Sequence, residues 1–304
     1  MALSGNARGA LLMMGAVGSF TTGDAFTKAI GDAMPLSQFL VMRGVVASAF
    51  IALLAWRLGA FRQAPSRKDR ALIWLRALAE VGSCYFFLTA LRQMPLANVT
   101  ALMQLLPLTM TLGSAILYRE MVGWRRWSAV GIGFLGMLLI VRPGSDGFNE
   151  ASLLGLLAVA CVTIRDLAIR RLSTEVHSLR VTLAAAVAVV GFATVLSLGQ
   201  EWQPMTPRLT ALLAGATVCV IFGYTFSVMV MRVGDVSFTA PFRYTGLVVA
   251  LILGFVVFGD WPVALTLVGA ALIVGSGAFT LLREAQLGRR SRRAAALQAK
   301  RPRT

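Results

Sequence analysis

Eight ionisable side chains sit inside apolar runs of this 304-residue chain: Asp24, Lys28, Arg43, Arg76, Glu80, Arg165, Asp166 and Arg243. Where such runs cross a bilayer, each charge at mid-depth costs about 2.5–3.5 kcal/mol on insertion scales, so each needs a partner or water. Asp24 and Lys28 are one helical turn apart, as are Arg76 and Glu80. Either pair can neutralise itself as an i,i+4 ion pair. Arg43 has no acid within a turn on its own helix. Asp24, Lys28 and Arg43 fall at similar depth, and one outer polar cluster is expected of them, as a tie between helices or as a substrate contact. Arg165, Asp166 and Arg243 fall nearer the opposite side. The single histidine, His177, borders a loop and rules out a multi-histidine zinc site. Cys84, Cys161 and Cys219 occupy three different apolar runs and match neither a metal spacing nor a disulfide framework. There is no Gly-rich serine motif and no phosphate-binding loop. The expectation is a protein without metal or cofactor, and not an enzyme, because no nucleophile has a base beside it at bilayer depth.

Rings accompany these charges. Tyr85, Phe86, Phe87, Phe222, Tyr224, Phe226, Phe242 and Tyr244 all fall near the middle of apolar runs. They fill a core, or they stack a ring-bearing substrate; a buried tyrosine hydroxyl needs a partner in either case.

The elements that must hold these residues are membrane helices. Hydrophobic residues make up 57% of the chain and charged ones 14%, where a soluble domain would carry about 25% charge. The stretch Pro95–Tyr118 has no charge, and its length exceeds the roughly 30 Å hydrocarbon core. Gln104 and Pro107 interrupt it near the centre. Proline frees a carbonyl that lipid cannot satisfy, so this helix is expected to face protein or water there. Ten apolar segments are expected in all, near 9–30, 35–56, 71–91, 95–118, 124–141, 151–169, 181–199, 209–231, 236–258 and 262–282.

The net charge of +16 does not point to nucleic acid, because the charges lie in short loops and a tail. With the N-terminus inside, 21 basic residues fall on the cytoplasmic side and three, Arg92, Arg142 and Arg208, on the other. That asymmetry places both termini in the cytoplasm. All six tryptophans lie at segment ends, where an interfacial belt is expected. Small residues crowd the fifth and tenth segments. Ala129-xxx-Gly133 and Ala271-xxx-Gly275 permit close helix approach, within the chain or in a homodimer.

The halves repeat. At a constant offset, Arg92, Ala97, Gln104, Tyr118 and Glu120 align with Arg232, Ser237, Tyr244, Phe258 and Asp260. Asp24-xxx-Lys28 is echoed by Asp166-xxx-Arg170. Five segments per half is an odd number, so the second half must enter the membrane upside down. The fold expected is all-α, ten transmembrane helices in an inverted 5+5 repeat, the architecture of alternating-access carriers. Its units are 1–148, 149–284 and a basic, disordered cytoplasmic tail at 285–304. Paired positions of such a repeat lie symmetrically about a midplane site, which singles out Gln104 and Tyr244, with Arg243 beside the latter.

The run Ala90–Gly144, ALRQMPLANVTALMQLLPLTMTLGSAILYREMVGWRRWSAVGIGFLGMLLIVRPG, resembles the EamA family of the drug/metabolite transporter superfamily, and the second half ends on a looser echo of it. The resemblance implies ten helices, an inverted repeat and secondary transport of a small-molecule metabolite across the bacterial inner membrane. The opening residues Gly23-Asp24-Ala25-Phe26-Thr27-Lys28, then Pro35-Leu36-Ser37-Gln38 and Arg43, are similar to a subgroup that takes up cofactor-type metabolites, riboflavin or S-adenosylmethionine. Aromatic amino acid exporters of the superfamily carry aromatics before the fourth-helix proline; here the residues are Gln104-Leu105-Leu106-Pro107. This departure argues against aromatic amino acid export; S-adenosylmethionine uptake, or an amino acid or metabolite exporter, is the alternative. The expected substrate contacts are Asp24, Lys28, Arg43, Glu80, Tyr85, Gln104, Arg243 and Tyr244. Five bases against three acids within the membrane favour a neutral, zwitterionic or anionic metabolite over a cation, and so a riboflavin-like ring over S-adenosylmethionine.

Overall fold

The computed structural model describes residues 5–61, 64–119, 123–141, 150–173, 175–233 and 239–299. Glu120, Arg142 and Ser237 fall outside them. The helices are α1 (Gly5–Ile30), α2 (Leu36–Arg57), α3 (Arg67–Gln93), α4 (Leu96–Met103), α5 (Leu106–Tyr118), α6 (Trp124–Val141), α7 (Glu150–Arg170), α8 (Ser178–Leu196), α9 (Pro207–Val233), α10 (Thr245–Phe258) and α11 (Ala264–Ala299). Short 3-10 turns, Gly31–Ala33 and Ala240–Tyr244, follow α1 and lead into α10. No strand occurs among the described residues.

The expected fourth segment is two helices. The chain turns at Gln104 and Leu105, and Pro107 sits in the first turn of α5, where its missing N–H goes unnoticed. Of the most apolar window in Leu96–Tyr118, 56% is buried, against 22–44% in the other spanning helices. The broken helix thus packs against protein. The ninth segment breaks in the same place relative to its half, entering as a 3-10 turn before α10. Among the described residues, seven helices are long and apolar enough to cross a membrane by themselves, counting α4–α5 as one and the 3-10 turn at Pro241 with α10. The outward faces of these helices carry Val45, Val46, Leu53, Leu78, Leu135, Ile252 and Val256 exposed. Such a continuous apolar exterior suits lipid and not water. Every tryptophan is about half exposed or more, from 48% at Trp127 and Trp202 to 73% at Trp124, as an interfacial belt requires.

Several threonines on the spans are satisfied within their own helices. Thr22, Thr27, Thr89, Thr111, Thr163 and Thr217 each donate to the carbonyl four residues back. His177 is a helix cap: its Nδ1 accepts from the Leu179 N–H at the start of α8. Ser66 caps α3 in the same way through Asp69 N–H, and the Asp69 carboxylate accepts in turn from Ser173 N–H after α7. α11 runs on to Ala299, through the basic stretch for which the sequence suggests disorder. That stretch is rich in Ala, Leu, Gln and Arg, all strong helix formers.

Packing respects the repeat. α1 lies chiefly along α9, and its repeat equivalent α7 lies along α3, the equivalent of α9. α2 pairs with α8 and α6 with α11, each with its own equivalent. Exchanging helices between halves therefore maps the main contacts onto themselves. At the α6–α11 crossing, a Cβ added to Gly136 would lie 2.6 Å from the Gly269 carbonyl, and one added to Gly269 would lie 2.5 Å from that of Gly136. The two backbones touch within one chain. Gly131 and Gly275, by contrast, face open space.

Candidate functional site

α3 and α7 bring together charges 85 residues apart. The Arg165 guanidinium donates to Glu80 Oε2 at 3.2 Å and to Asp166 Oδ1 at 2.7 Å. Arg76 reaches the same Glu80 oxygen at 3.8 Å and donates to the Val181 carbonyl at 3.3 Å. The expected Arg76–Glu80 pair is present, but Glu80's shorter contact is to Arg165 of the other half. Beyond this group, Arg43 lies close enough to Asp24, Cys84 and Tyr224 to act on each electrostatically. Tyr224 is likewise within reach of Glu80 and Arg165. Together these groups make a polar file: Glu80, Arg165, Asp166 and Arg76 in direct contact, and Asp24, Arg43, Cys84 and Tyr224 within electrostatic reach of them or of one another. It holds as many bases as acids, three of each.

Rings border the file. Phe20, one turn before Asp24, meets Tyr224 edge to face at 5.4 Å. Tyr85 meets Phe192 at 5.8 Å and Phe86 at 5.7 Å, also edge to face. Gly223 allows the first contact, since a Cβ there would lie 2.6 Å from the Phe20 ring. Phe20 and Phe192 carry no charge and escape a search for ionisable residues. The spacing of Phe20 to Asp24 on one helix face was the signal available for the first; Phe192 offered none.

Two expected neighbours go elsewhere. Lys28 does not pair with Asp24. Its ammonium donates to the Met94 carbonyl at 2.7 Å, approaches that of Leu91 at 3.5 Å, and stands 5.5 Å from the Phe258 ring centre. The carbonyls at the end of α3 lack helical partners and offer it acceptors. Arg43 makes no salt bridge among the described residues and stacks on the Phe39 ring of its own helix at 4.9 Å. The expected outer triad is thus Asp24 and Arg43, with Lys28 withdrawn to the helix ends. Arg243 is exposed, and Tyr244 is buried against Gly277 of α11 with a hydroxyl that finds no partner among the described residues. Gln104 is half-buried at the α4–α5 turn. A cavity of about 380 Å³ opens beside the α8–α9 loop, lined by Ala29, Ala33, Gln203, Thr206 and Arg208 among others. It is separate from the polar file. No group of His, Cys, Asp or Glu among the described residues could hold a metal ion.

The chain is 32% identical over 216 residues to a riboflavin transporter of Vibrio cholerae, covering 71% of this chain and 72% of that one. It is 26% identical over 273 residues to a pseudopaline exporter of Pseudomonas aeruginosa, covering 88% and 93%. An S-adenosylmethionine uptake transporter of Rickettsia bellii is 24% identical over 195 residues, covering 62% and 65%. A solved crystal structure shares the fold at a TM-score of 0.58 and 22% identity, over 92% of this chain and 98% of that one. The model of the EamA-like transporter family matches twice, over residues 7–142 and 149–282. With both halves matched and the two halves exchanging contacts as equivalents, the chain belongs to the EamA-like transporter family.

Proposed function

We propose that this protein is an inner-membrane secondary carrier whose two five-helix halves, inverted to one another and with both termini cytoplasmic, bind a small organic metabolite at the polar file and expose it to either side in turn. The observation that carries the reading is the Glu80–Arg165 contact: charged groups of both repeats meet at membrane depth, where isolated charges are expensive and intramembrane ionisable residues mark transport pathways. Substrate contacts are assigned to Asp24, Arg43, Glu80, Tyr85 and Tyr224, with Gln104 and Tyr244 at the two helix breaks.

A riboflavin-like substrate fits best. The file holds as many bases as acids, so it supplies no excess of acid for a sulfonium cation. Phe20, Tyr224, Tyr85 and Phe192 offer edges and faces to a flat ring. The 32% identity to a riboflavin transporter points the same way. S-adenosylmethionine is the second reading, favoured by the weaker similarity to an uptake transporter of that compound. The test is uptake of labelled riboflavin by a strain lacking its own importer. Accumulation above the empty-vector background, competed by unlabelled riboflavin and not by S-adenosylmethionine, is expected. Accumulation of labelled S-adenosylmethionine and not of riboflavin in the same strain would replace the substrate, and accumulation of neither would remove both.

A further inference from the structure

Two positions that the repeat equates, Tyr118 and Phe258, end α5 and α10 at opposite ends of the bundle, and each is met by a cation from the last turn or just beyond of an equivalent helix. At one end Lys28 of α1 stands over Phe258, donates to the Met94 carbonyl and feels the charge of Asp260. At the other, Arg171 stands over the Tyr118 ring at 4.6 Å and reaches the Leu117 carbonyl at 3.5 Å. Arg170 donates to the Ser114 hydroxyl at 2.5 Å, and the Tyr118 hydroxyl donates to the Leu167 carbonyl at 2.5 Å. Lys28 and Arg170 are the echoed positions of Asp24-xxx-Lys28 and Asp166-xxx-Arg170. A similar device therefore stands at each end: a cation at or just past a helix end over the aromatic ring that closes the facing helix, Lys28 over Phe258 and Arg171, next to the echoed Arg170, over Tyr118, with main-chain or hydroxyl acceptors nearby.

Both devices bridge the halves. Lys28 belongs to the first half and Phe258 to the second; Arg170 and Arg171 belong to the second and Tyr118 to the first. Contacts across the halves are the ones that must break when one half rocks against the other. Other ties strengthen the Lys28 end. Gln38 exchanges two hydrogen bonds with the Gln203 backbone, both at 2.9 Å, and Ser37 donates to Gln200 at 2.6 Å. A lysine or arginine held by carbonyls at a helix C-terminus gains from the helix dipole and yet keeps a surface route to water, so the tie can open and re-form.

Resting on the carrier reading above, we propose that Lys28 and the Arg170–Arg171 pair are positioning residues for transport: they are matched closures of the outer and inner ends, and the release of one is what opens the central file to that side. They do not touch substrate. They set which face the site sees.

Cys84, beside Arg43 in the file, reports access without any substrate. In a Cys161→Ser, Cys219→Ser background, a membrane-impermeant maleimide is applied from outside in spheroplasts and from inside in inverted vesicles. Lys28→Gln is expected to raise Cys84 labelling from outside several-fold and lower it from inside. Tyr118→Phe combined with Arg170→Gln and Arg171→Gln is expected to do the reverse. Lys28→Arg restores the parent pattern, which separates lost closure from lost folding, and melting temperature in detergent confirms a folded variant. Equal changes from both sides, or a parent-like pattern in both variants, would overturn the closures while leaving the carrier intact. No Cys84 labelling from either side in any variant would overturn access to the polar file itself, and the proposal with it.

Discussion

Arg165 and Arg43 are both guanidinium groups at membrane depth, and their surroundings assign them different work. Arg165 is held by two carboxylates, at 3.2 Å and 2.7 Å. Removing one member of a buried ion pair costs about 3–5 kcal/mol, because the partner is left charged and alone. Here the side chains of Arg165 and Glu80 are 24% and 19% exposed, so the low end of that range applies. Arg165→Met is therefore expected to lower the melting temperature in detergent markedly, and adding Glu80→Gln to recover part of the loss. Arg43 has no carboxylate partner at salt-bridge distance among the described residues, so Arg43→Ala is expected to leave melting nearly unchanged while abolishing transport. A thermal-shift comparison of these variants decides whether the two arginines are as different as their contacts imply. The sequence made both residues conspicuous, since any charge in an apolar run is. It did not reveal that Arg165 crosses to Glu80, because that pairing depends on how α3 and α7 rotate about their axes. It also suggested an Asp24–Lys28 pair from spacing alone, where the free carbonyls ending α3 give Lys28 better acceptors.

At the scale of elements, hydropathy and punctuation were legible and crossings were not. Pro107 announced the break between α4 and α5, and the repeat carried the same break to the start of α10. The small residues of the fifth and tenth segments announced a close approach, which the sequence put at Ala129-xxx-Gly133 and Ala271-xxx-Gly275. Gly136 and Gly269 make it, backbone to backbone, while Gly131 and Gly275 face outward. Gly136→Ala forces a methyl against a carbonyl that cannot move without shifting its helix. Overpacking of this kind costs about 1–3 kcal/mol, so a clear drop in melting temperature is expected. Gly275→Ala meets nothing within 4 Å and gains helix propensity, so its melting temperature is expected to hold or rise. A loss at Gly275 equal to that at Gly136 would mean that the outward face is also packed, as in a homodimer.

The whole molecule is two similar halves sharing one polar file. Charges of one half meet groups of the other: Glu80 in the first takes its shorter contact from Arg165 in the second, and Lys28, held by first-half carbonyls, stands over Phe258 in the second. This interdependence explains why a site can exist midway through an otherwise apolar bundle. Arg43 has no carboxylate at salt-bridge distance among the described residues, which is why the carrier reading proposed above assigns it to substrate. The most direct measurement is counterflow of labelled riboflavin in proteoliposomes loaded with unlabelled riboflavin, made for the parent and for Arg43→Ala. A two-sided carrier with its site at the file predicts saturable uptake that unlabelled riboflavin inside the vesicles accelerates, and its loss in Arg43→Ala. Flux that rises linearly with concentration, or counterflow equal in the two proteins, would contradict the account.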